Sequence, residues 1–291
     1  MSHRIRQSGL TAVVALVAAL AAVVAGLLAF SPASTARPAA DVSVASAPVA
    51  LPDTAAKGAK PTVVLVHGAF ADSSGWSEVA MQLKKEGYRV LAFSNPLRGP
   101  GSDSEYLRQF LSTIPGPVVL VGHSYGGMVI TNAATGNANV KALVYIAAYA
   151  PAEGESVAQA NSLGGGHTDV VDNLVIRPYP GAAAGDADAY INPKKFHQLF
   201  AQDLPRKEAA FMAASQRPGA LGSLVTPSGT PAWKSIPSYY MVTTKDRIIP
   251  PQAERAMAKR AGAYTVVVKS SHVVMMSHPG KVTRLILRAA R

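Results

Sequence analysis

The feature that most constrains this 291-residue chain is a short apolar segment that leads through a glycine-flanked serine into a helix. Residues 118–121 are continuously apolar, GHSYG follows at residues 122–126, and residues 127–134 favour a helix. A serine at such a turn has a strained backbone, and side chains two positions away would crowd it. The pattern therefore predicts an exposed hydroxyl on Ser124 at the carboxyl edge of a parallel sheet.

From Pro61 onward, short β-branched segments alternate with segments of helical periodicity, which is typical of a parallel sheet with crossover helices. Trp76 lies on one of the apolar helical stripes and is predicted to pack in the core. The predicted strands are residues 62–66, 89–93, 118–121, 142–147, 238–243 and 264–269. Residues 61–291 are therefore expected to fold as one α/β domain.

The alternation stops between residues 150 and 233, where Gly, Pro, Ala and Asp are frequent. Two helices are predicted there, near residues 194–202 and 206–216, and no strong strand. A long excursion between two strands of one sheet is typical of a lid or cap. We therefore predict an inserted cap at about residues 151–232.

The N-terminus has the pattern of a targeting segment. Arg4 and Arg6 precede an uncharged apolar run at residues 10–30, and small residues follow it. This pattern is typical of a secretory signal, although the run is also long enough to span a bilayer. Residues 1–36 are predicted to direct export to the periplasm or medium after cleavage, or to anchor the chain in the membrane. Residues 37–60, rich in Ala, Pro, Ser and Val, are a predicted linker.

Composition and motifs exclude several functions. The chain has no cysteine, which excludes a thiol nucleophile, disulfides and thiolate metal sites. Its formal charge of +11 is spread thinly, without the basic cluster that nucleic-acid binding requires. No metal-ligand spacing and no glycine-rich nucleotide motif occurs. We expect no metal, no cofactor and no nucleic-acid partner, and the oligomeric state stays open.

A serine hydroxyl becomes a good nucleophile when a histidine removes its proton and a carboxylate orients that histidine. Asp246 and His272 each follow a predicted strand, so both are expected at the same sheet edge as Ser124. Glu153, after the fourth strand, is the alternative acid. His278 is the alternative base, although its sequence context is typical of the start of the last helix. The predicted triad is Ser124, Asp246 and His272.

An ester-cleaving serine also needs two backbone N–H groups that stabilise an oxyanion. Tyr125 supplies one by its position after the serine. Ala69 is the first choice for the other, from the loop after the first strand, and Phe70 is the second choice. Three other histidines are predicted to have structural or surface roles. His67 is expected to be a structural residue of that loop, and His123 is expected to pack against neighbouring strands. His167 is expected in a solvated loop or at a lid hinge.

These residues resemble the α/β-hydrolase superfamily over residues 61–291, and most closely its bacterial esterases similar to plant methylesterases and hydroxynitrile lyases. The resemblance implies a six-stranded, mostly parallel sheet and carboxylic ester hydrolysis through an acyl-enzyme. Relatives that act as dehalogenases or epoxide hydrolases carry aspartate at the position of Ser124. The plant lyases carry lysine at the position of Val273, so the chain departs from both patterns.

The sequence therefore predicts a carboxylic ester hydrolase that acts on small or medium apolar esters. The same triad also serves lactone or amide hydrolysis, perhydrolysis and C–C cleavage, and fold and triad do not separate these reactions. A binding protein that keeps the scaffold without catalysis is the alternative from another class. Labelling of Ser124 by a fluorophosphonate probe separates a catalyst from a binder.

Overall fold

The computed structural model describes residues 60–291. The predicted targeting segment and residues 37–59 of the predicted linker lie outside the described residues. Within residues 60–291 the chain forms nine strands: β1 (Thr62–Val66), β2 (Val90–Phe93), β3 (Val118–Ser124), β4 (Val140–Ala148), β5 (Leu174–Arg177), β6 (Asp188–Ile191), β7 (Gly219–Ala220), β8 (Ser238–Thr243) and β9 (Tyr264–Val268).

Six of these strands form the central sheet, in the order β2-β1-β3-β4-β8-β9, and all neighbouring pairs are parallel. Every residue of β1 and β3 is buried, because helices cover both faces of a parallel sheet. This arrangement confirms the predicted six-stranded α/β fold. It also places the ends of β3, β8 and β9 at one edge, where the predicted triad residues follow.

The described helices are α1 (Ser77–Lys85), α2 (Pro100–Ser112), α3 (Tyr125–Ala133), α4 (Val157–Asn161), α5 (Pro193–Leu199), α6 (Arg206–Ala214), α7 (Pro251–Arg260), α8 (Val274–Ser277) and α9 (Pro279–Ala289). Helix α1 packs against α9, and α2 packs against α3. Trp76, just before α1, is fully buried, as predicted. None of the helices within residues 60–291 combines the length and the apolar character that a bilayer crossing requires.

The chain between β4 and β8 contains α4, α5, α6 and a small antiparallel sheet of β5, β6 and β7. The two helices predicted there are present as α5 and α6. No strong strand is predicted here, and the three strands that form are short. These strands are two to four residues long, and β5 and β6 are only partly buried, so they show no continuous apolar pattern. They form because they pair with each other across a long sequence separation.

Candidate active site

Ser124 lies at a sharp turn between β3 and α3. Its backbone angles are φ 53° and ψ −126°, a strained combination for a residue other than glycine. The flanking glycines allow close approach of the backbone. A Cβ on Gly122 would lie 2.7 Å from the Gly126 carbonyl oxygen, and one on Gly126 would lie 2.5 Å from the Val66 carbonyl oxygen. The turn therefore requires glycine at both positions.

His272 and Asp246 form a buried pair in the loops after β9 and β8. His272 Nδ1 donates to Asp246 Oδ2 at 2.6 Å, and neither side chain is exposed. The backbone N–H groups of Ile248 and Ile249 donate to Asp246 Oδ1 at 2.7 and 2.9 Å. With its proton on Nδ1, neutral His272 carries a lone pair on Nε2. Within residues 60–291 this buried Nε2 has no hydrogen-bond partner, so the structure pairs His272 with Asp246 but forms no hydrogen bond between His272 and Ser124 Oγ.

The backbone and ring of His272 are held against the strand that carries Ser124. His123 Nε2 donates to the His272 carbonyl oxygen at 3.0 Å, and the centres of the two rings lie 4.6 Å apart. Burial lowers the pKa of His123 well below its usual value, so this imidazole is neutral. His123 therefore ties the loop of His272 to the end of β3.

Asp203, which follows α5, holds the same loop from the other side. The Ser271 backbone N–H and the Ser270 hydroxyl donate to Asp203 Oδ2, each at 2.8 Å. The Ser271 hydroxyl donates to Asp203 Oδ1. Partial burial acts to raise the pKa of Asp203, but the hydrogen bonds from these serines outweigh it and lower the pKa. An ionised Asp203 thus fixes the residues just before His272.

The loop after β1 lies against Ser124, since a Cβ on Gly68 would be 2.6 Å from Ser124 Cβ. Phe70 has φ 65°, and its backbone N–H donates to the Arg217 carbonyl oxygen at 2.8 Å. This N–H is therefore not free for a substrate. Across residues 60–291, the Ala69 N–H donates to no protein acceptor, and the Tyr125 N–H begins α3 without an acceptor inside the helix. The geometry favours Ala69 over Phe70.

An apolar cavity of about 70 Å³ adjoins Ser124. Its walls come from the loop after β1, from the start of α3 and from the chain between β4 and β8. Residues from this last segment include Val157, Val170, Leu174 and Leu224. An apolar ligand group in the cavity would therefore lie beside the serine hydroxyl.

Residues 63–285 match the family model described as "Alpha/beta hydrolase family". The chain belongs to this family. The predicted superfamily is confirmed.

Individual relatives agree with the family match. The hydrolase is 27% identical to alpha/beta hydrolase nvfD of Aspergillus novofumigatus over 79% of its own chain and 97% of that protein. It is 26% identical to methylesterase 17 of Arabidopsis thaliana over 79% and 91%, which confirms the predicted likeness to plant methylesterases. The crystal structure of polyneuridine aldehyde esterase superimposes with a TM-score of 0.69 at 21% identity, over 80% and 100% of the two chains.

The alternative acid and the alternative base lie away from the buried pair. Glu153 is exposed, accepts from the Thr230 hydroxyl at 3.0 Å and lies 3.4 Å from Lys234 Nζ. His278 immediately precedes α9, and its Nε2 donates to the Lys269 carbonyl oxygen at 3.2 Å. Among the described residues, neither side chain forms a hydrogen bond or ion pair with His272. The geometry therefore favours Asp246 and His272.

The remaining histidines differ in environment. His67 Nε2 accepts from the Asn95 backbone N–H at 3.0 Å, and its Nδ1 donates to the Gly68 carbonyl oxygen at 2.9 Å. Burial lowers the pKa of His67, which keeps it neutral and agrees with a structural role. His167 is exposed, with Nε2 3.4 Å from Asp169 Oδ1, which agrees with a solvated loop. Among residues 60–291 no group of side chains is arranged to hold a metal ion.

Sequence reasoning missed two residues behind Asp246. Thr243 Oγ1 lies 3.2 Å from Asp246 Oδ2 and 2.9 Å from Glu254 Oε1, and the Thr243 N–H donates to Glu254 Oε2 at 2.8 Å. Burial, and next the charge of Asp246, raise the pKa of Glu254 well above its usual value. One signal was present in the sequence. Glu254 shares the buried face of α7 with Ala253, Met257 and Ala258, where a carboxyl group is unusual.

Proposed function

We propose that this hydrolase is a serine esterase that cleaves short apolar carboxylic esters through an acyl-enzyme. The observation that carries the proposal is the buried His272–Asp246 hydrogen bond. It lies at the same sheet edge as Ser124, whose strained turn adjoins an apolar cavity. The names of the Arabidopsis methylesterase and of polyneuridine aldehyde esterase support an ester as the substrate class.

In the first half of the reaction, Ser124 Oγ bonds to the ester carbonyl carbon while its proton passes to His272 Nε2. The Ala69 and Tyr125 N–H groups donate to the oxyanion that develops. When the tetrahedral intermediate collapses, the bond to the alcohol oxygen breaks and that oxygen takes the proton from His272. The products are a free alcohol and an acyl group on Ser124.

In the second half, water attacks the acyl carbon and gives its proton to His272. Collapse then breaks the bond to Ser124 Oγ, which recovers the proton, and the carboxylic acid leaves. Asp246 stabilises the imidazolium form of His272 in both halves. Two backbone amides and His272 all donate to Asp246, and this set of donors keeps the carboxylate in place.

Cavity size supports a short acyl group. Its volume of about 70 Å³ is roughly half that of an apolar cavity of ~150 Å³ that holds one benzene molecule. Longer acyl chains therefore extend beyond this cavity. Lactone and amide hydrolysis, perhydrolysis and C–C cleavage use the same groups, and no contact in the described site favours them over ester hydrolysis.

The test is hydrolysis of p-nitrophenyl acetate, butyrate, octanoate and laurate by the full chain, with Ser124→Ala as control. We expect kcat/KM to be highest for the two short esters and to vanish in the control. A fluorophosphonate probe should label the wild type and not the control. Equal rates in both proteins would overturn the role of Ser124. Labelling without ester hydrolysis would direct the search to lactones, amides and peroxide.

For the N-terminus we propose that residues 1–36 direct export. The support is the basic start, the apolar run at residues 10–30 and the small residues after it. N-terminal sequencing of the protein from each cell fraction tests this proposal. A chain that begins near residue 37 in periplasm or medium is expected, an intact chain in the membrane indicates the anchor, and an intact chain in the cytoplasm contradicts export.

A further inference from the structure

Thr243 lies between two buried carboxyl groups. Its hydroxyl oxygen is 2.9 Å from Glu254 Oε1 and 3.2 Å from Asp246 Oδ2. Thr243 and Glu254 are 0% exposed, and the side chain of Asp246 is fully buried. A threonine hydroxyl has one proton, so it donates to only one of the two carboxyl groups. If both carboxyl groups were ionised, the carboxylate that receives no proton from Thr243 would face the lone pairs of the hydroxyl oxygen. No water would separate these lone pairs from those of the carboxylate.

Counting donors at Asp246 decides the direction of the Thr243 hydroxyl. A carboxylate offers about four acceptor sites. Two backbone amides donate to Oδ1, and His272 donates to Oδ2. Thr243 fills the remaining site when its hydroxyl points to Asp246. Glu254 Oε1 must then carry the proton in its contact with Thr243, while Oε2 accepts from the Thr243 N–H at 2.8 Å. Every polar side-chain atom of Thr243, Asp246 and Glu254 then has a partner.

We infer that Glu254 is a neutral carboxylic acid that positions Asp246 through Thr243, by hydrogen bonds that run from Glu254 to Thr243 and from Thr243 to Asp246. This inference rests on the proposed esterase function, because Asp246 orients the catalytic base there. Glu254 is a positioning residue. Neither Glu254 nor Thr243 lines the cavity beside Ser124.

The surroundings of Glu254 keep it neutral. Burial and the charge of Asp246 raise its pKa well above the usual value. Tyr240 and Tyr149 are the other titratable side chains that its charge would affect. Tyr240 donates its hydroxyl to the Ala148 carbonyl oxygen, and Tyr149 donates to Asn161 Oδ1 at 3.0 Å. Burial raises the pKa of both phenols, so Asp246 is the anion that acts on Glu254.

Three variants separate the inferred role from a merely structural one. In Glu254→Gln the amide nitrogen donates to Thr243 Oγ1 and the amide oxygen accepts from the Thr243 N–H, so the hydrogen bonds are kept without an ionisable proton. Thr243→Ser keeps the hydroxyl and Thr243→Val removes it. With p-nitrophenyl butyrate we expect Glu254→Gln and Thr243→Ser to keep kcat within about threefold of wild type. We expect Thr243→Val to lose roughly tenfold or more in kcat, with KM unchanged.

Two kinetic results would overturn the inference. Wild-type kcat in Thr243→Val would mean that Asp246 does not depend on the hydroxyl. A loss in Glu254→Gln as large as in Thr243→Val would mean that Glu254 acts as an anion. The rate of Ser124 labelling by the fluorophosphonate probe replaces kcat if the wild type hydrolyses none of the esters.

The protonation state of Glu254 is measured independently of activity, by urea unfolding of wild type and Glu254→Gln as a function of pH. The unfolded glutamate loses its proton near pH 4.5, whereas the native one keeps it. Between these two pKa values the native state binds one more proton than the unfolded state. The free energy of unfolding of the wild type therefore falls as pH rises. The unfolding constant of wild type relative to Glu254→Gln should therefore rise about tenfold per pH unit.

Glu78→Gln, at an exposed position in α1, is the control for removal of one carboxyl group, and the slope for Glu254→Gln should exceed the slope for this control. A ratio for Glu254→Gln that is independent of pH would show that Glu254 is ionised in the native state, and would overturn the inference even if the protein is an esterase. If the slope is present but ester hydrolysis and labelling both fail, the neutral acid stands, whereas the esterase proposal and the positioning role of Glu254 are both overturned.

Discussion

Gly68→Ala tests the close packing of the β1 loop against the nucleophile. The added Cβ would lie 2.6 Å from Ser124 Cβ, 2.9 Å from the His123 carbonyl oxygen and 3.1 Å from Ser124 Oγ. Ordinary contacts of a Cβ begin near 3.4 Å, so the loop or the serine must move by about 0.8 Å. Ser124 has no easy way to yield, because its backbone is already strained at φ 53°.

The displacement has two consequences. A misplacement near 1 Å at a reacting group lowers the rate by roughly 100-fold, so we expect kcat/KM for p-nitrophenyl butyrate to fall by about that factor. Overpacking lowers the free energy of unfolding by about 1–3 kcal/mol. For a domain of this size that loss corresponds to a decrease in Tm of roughly 2–12 °C.

The assay compares ester hydrolysis, fluorophosphonate labelling and Tm for wild type, Gly68→Ala and Gly101→Ala. Gly101 lies in α2, and a Cβ there would meet no atom within 4 Å. Gly101→Ala should therefore keep full activity and gain about 0.5–1 kcal/mol of stability from lower backbone entropy. Gly68→Ala with wild-type rate and wild-type labelling would refute the close packing of Gly68 against Ser124.

Three further predictions concern the catalytic pair, its support and the cavity. Asp246→Asn keeps an acceptor for the Ile248 and Ile249 amides but presents an N–H group to His272 Nδ1. The imidazole proton therefore moves to Nε2, and kcat should fall by about 10⁴-fold. Circular dichroism should show that the fold is intact. Asp203→Ala removes the acceptor of the Ser270 and Ser271 donors, so urea unfolding should show a loss of about 1–3 kcal/mol; an unchanged midpoint would contradict the anchoring role. Leu224→Ala widens the cavity, so the ratio of kcat/KM for octanoate to that for butyrate should rise roughly tenfold, and an unaltered ratio would place the acyl chain elsewhere.

Local sequence patterns were sufficient to predict the architecture of the central sheet. Each central strand is a short apolar segment, and the glycine-flanked serine marks the passage from β3 to α3. Asp246 and His272 follow consecutive strands of one parallel sheet, so their common edge follows from topology alone. The structure brings this pair into hydrogen-bond contact, and the catalytic roles of its members stay a prediction.

Tertiary contacts decided what lies around that pair. Arg217 is far from Phe70 in sequence, yet its carbonyl oxygen accepts from the Phe70 N–H, whereas the Ala69 N–H has no protein acceptor within residues 60–291. Thr243 lies in β8 and Glu254 lies in α7. The glutamate is buried because α7 packs on β8. Strands β5 to β7 are too short to show a pattern of their own. A residue's charge and hydrogen bonds depend on neighbours that the fold supplies, whereas strand and turn propensities depend on neighbours along the chain.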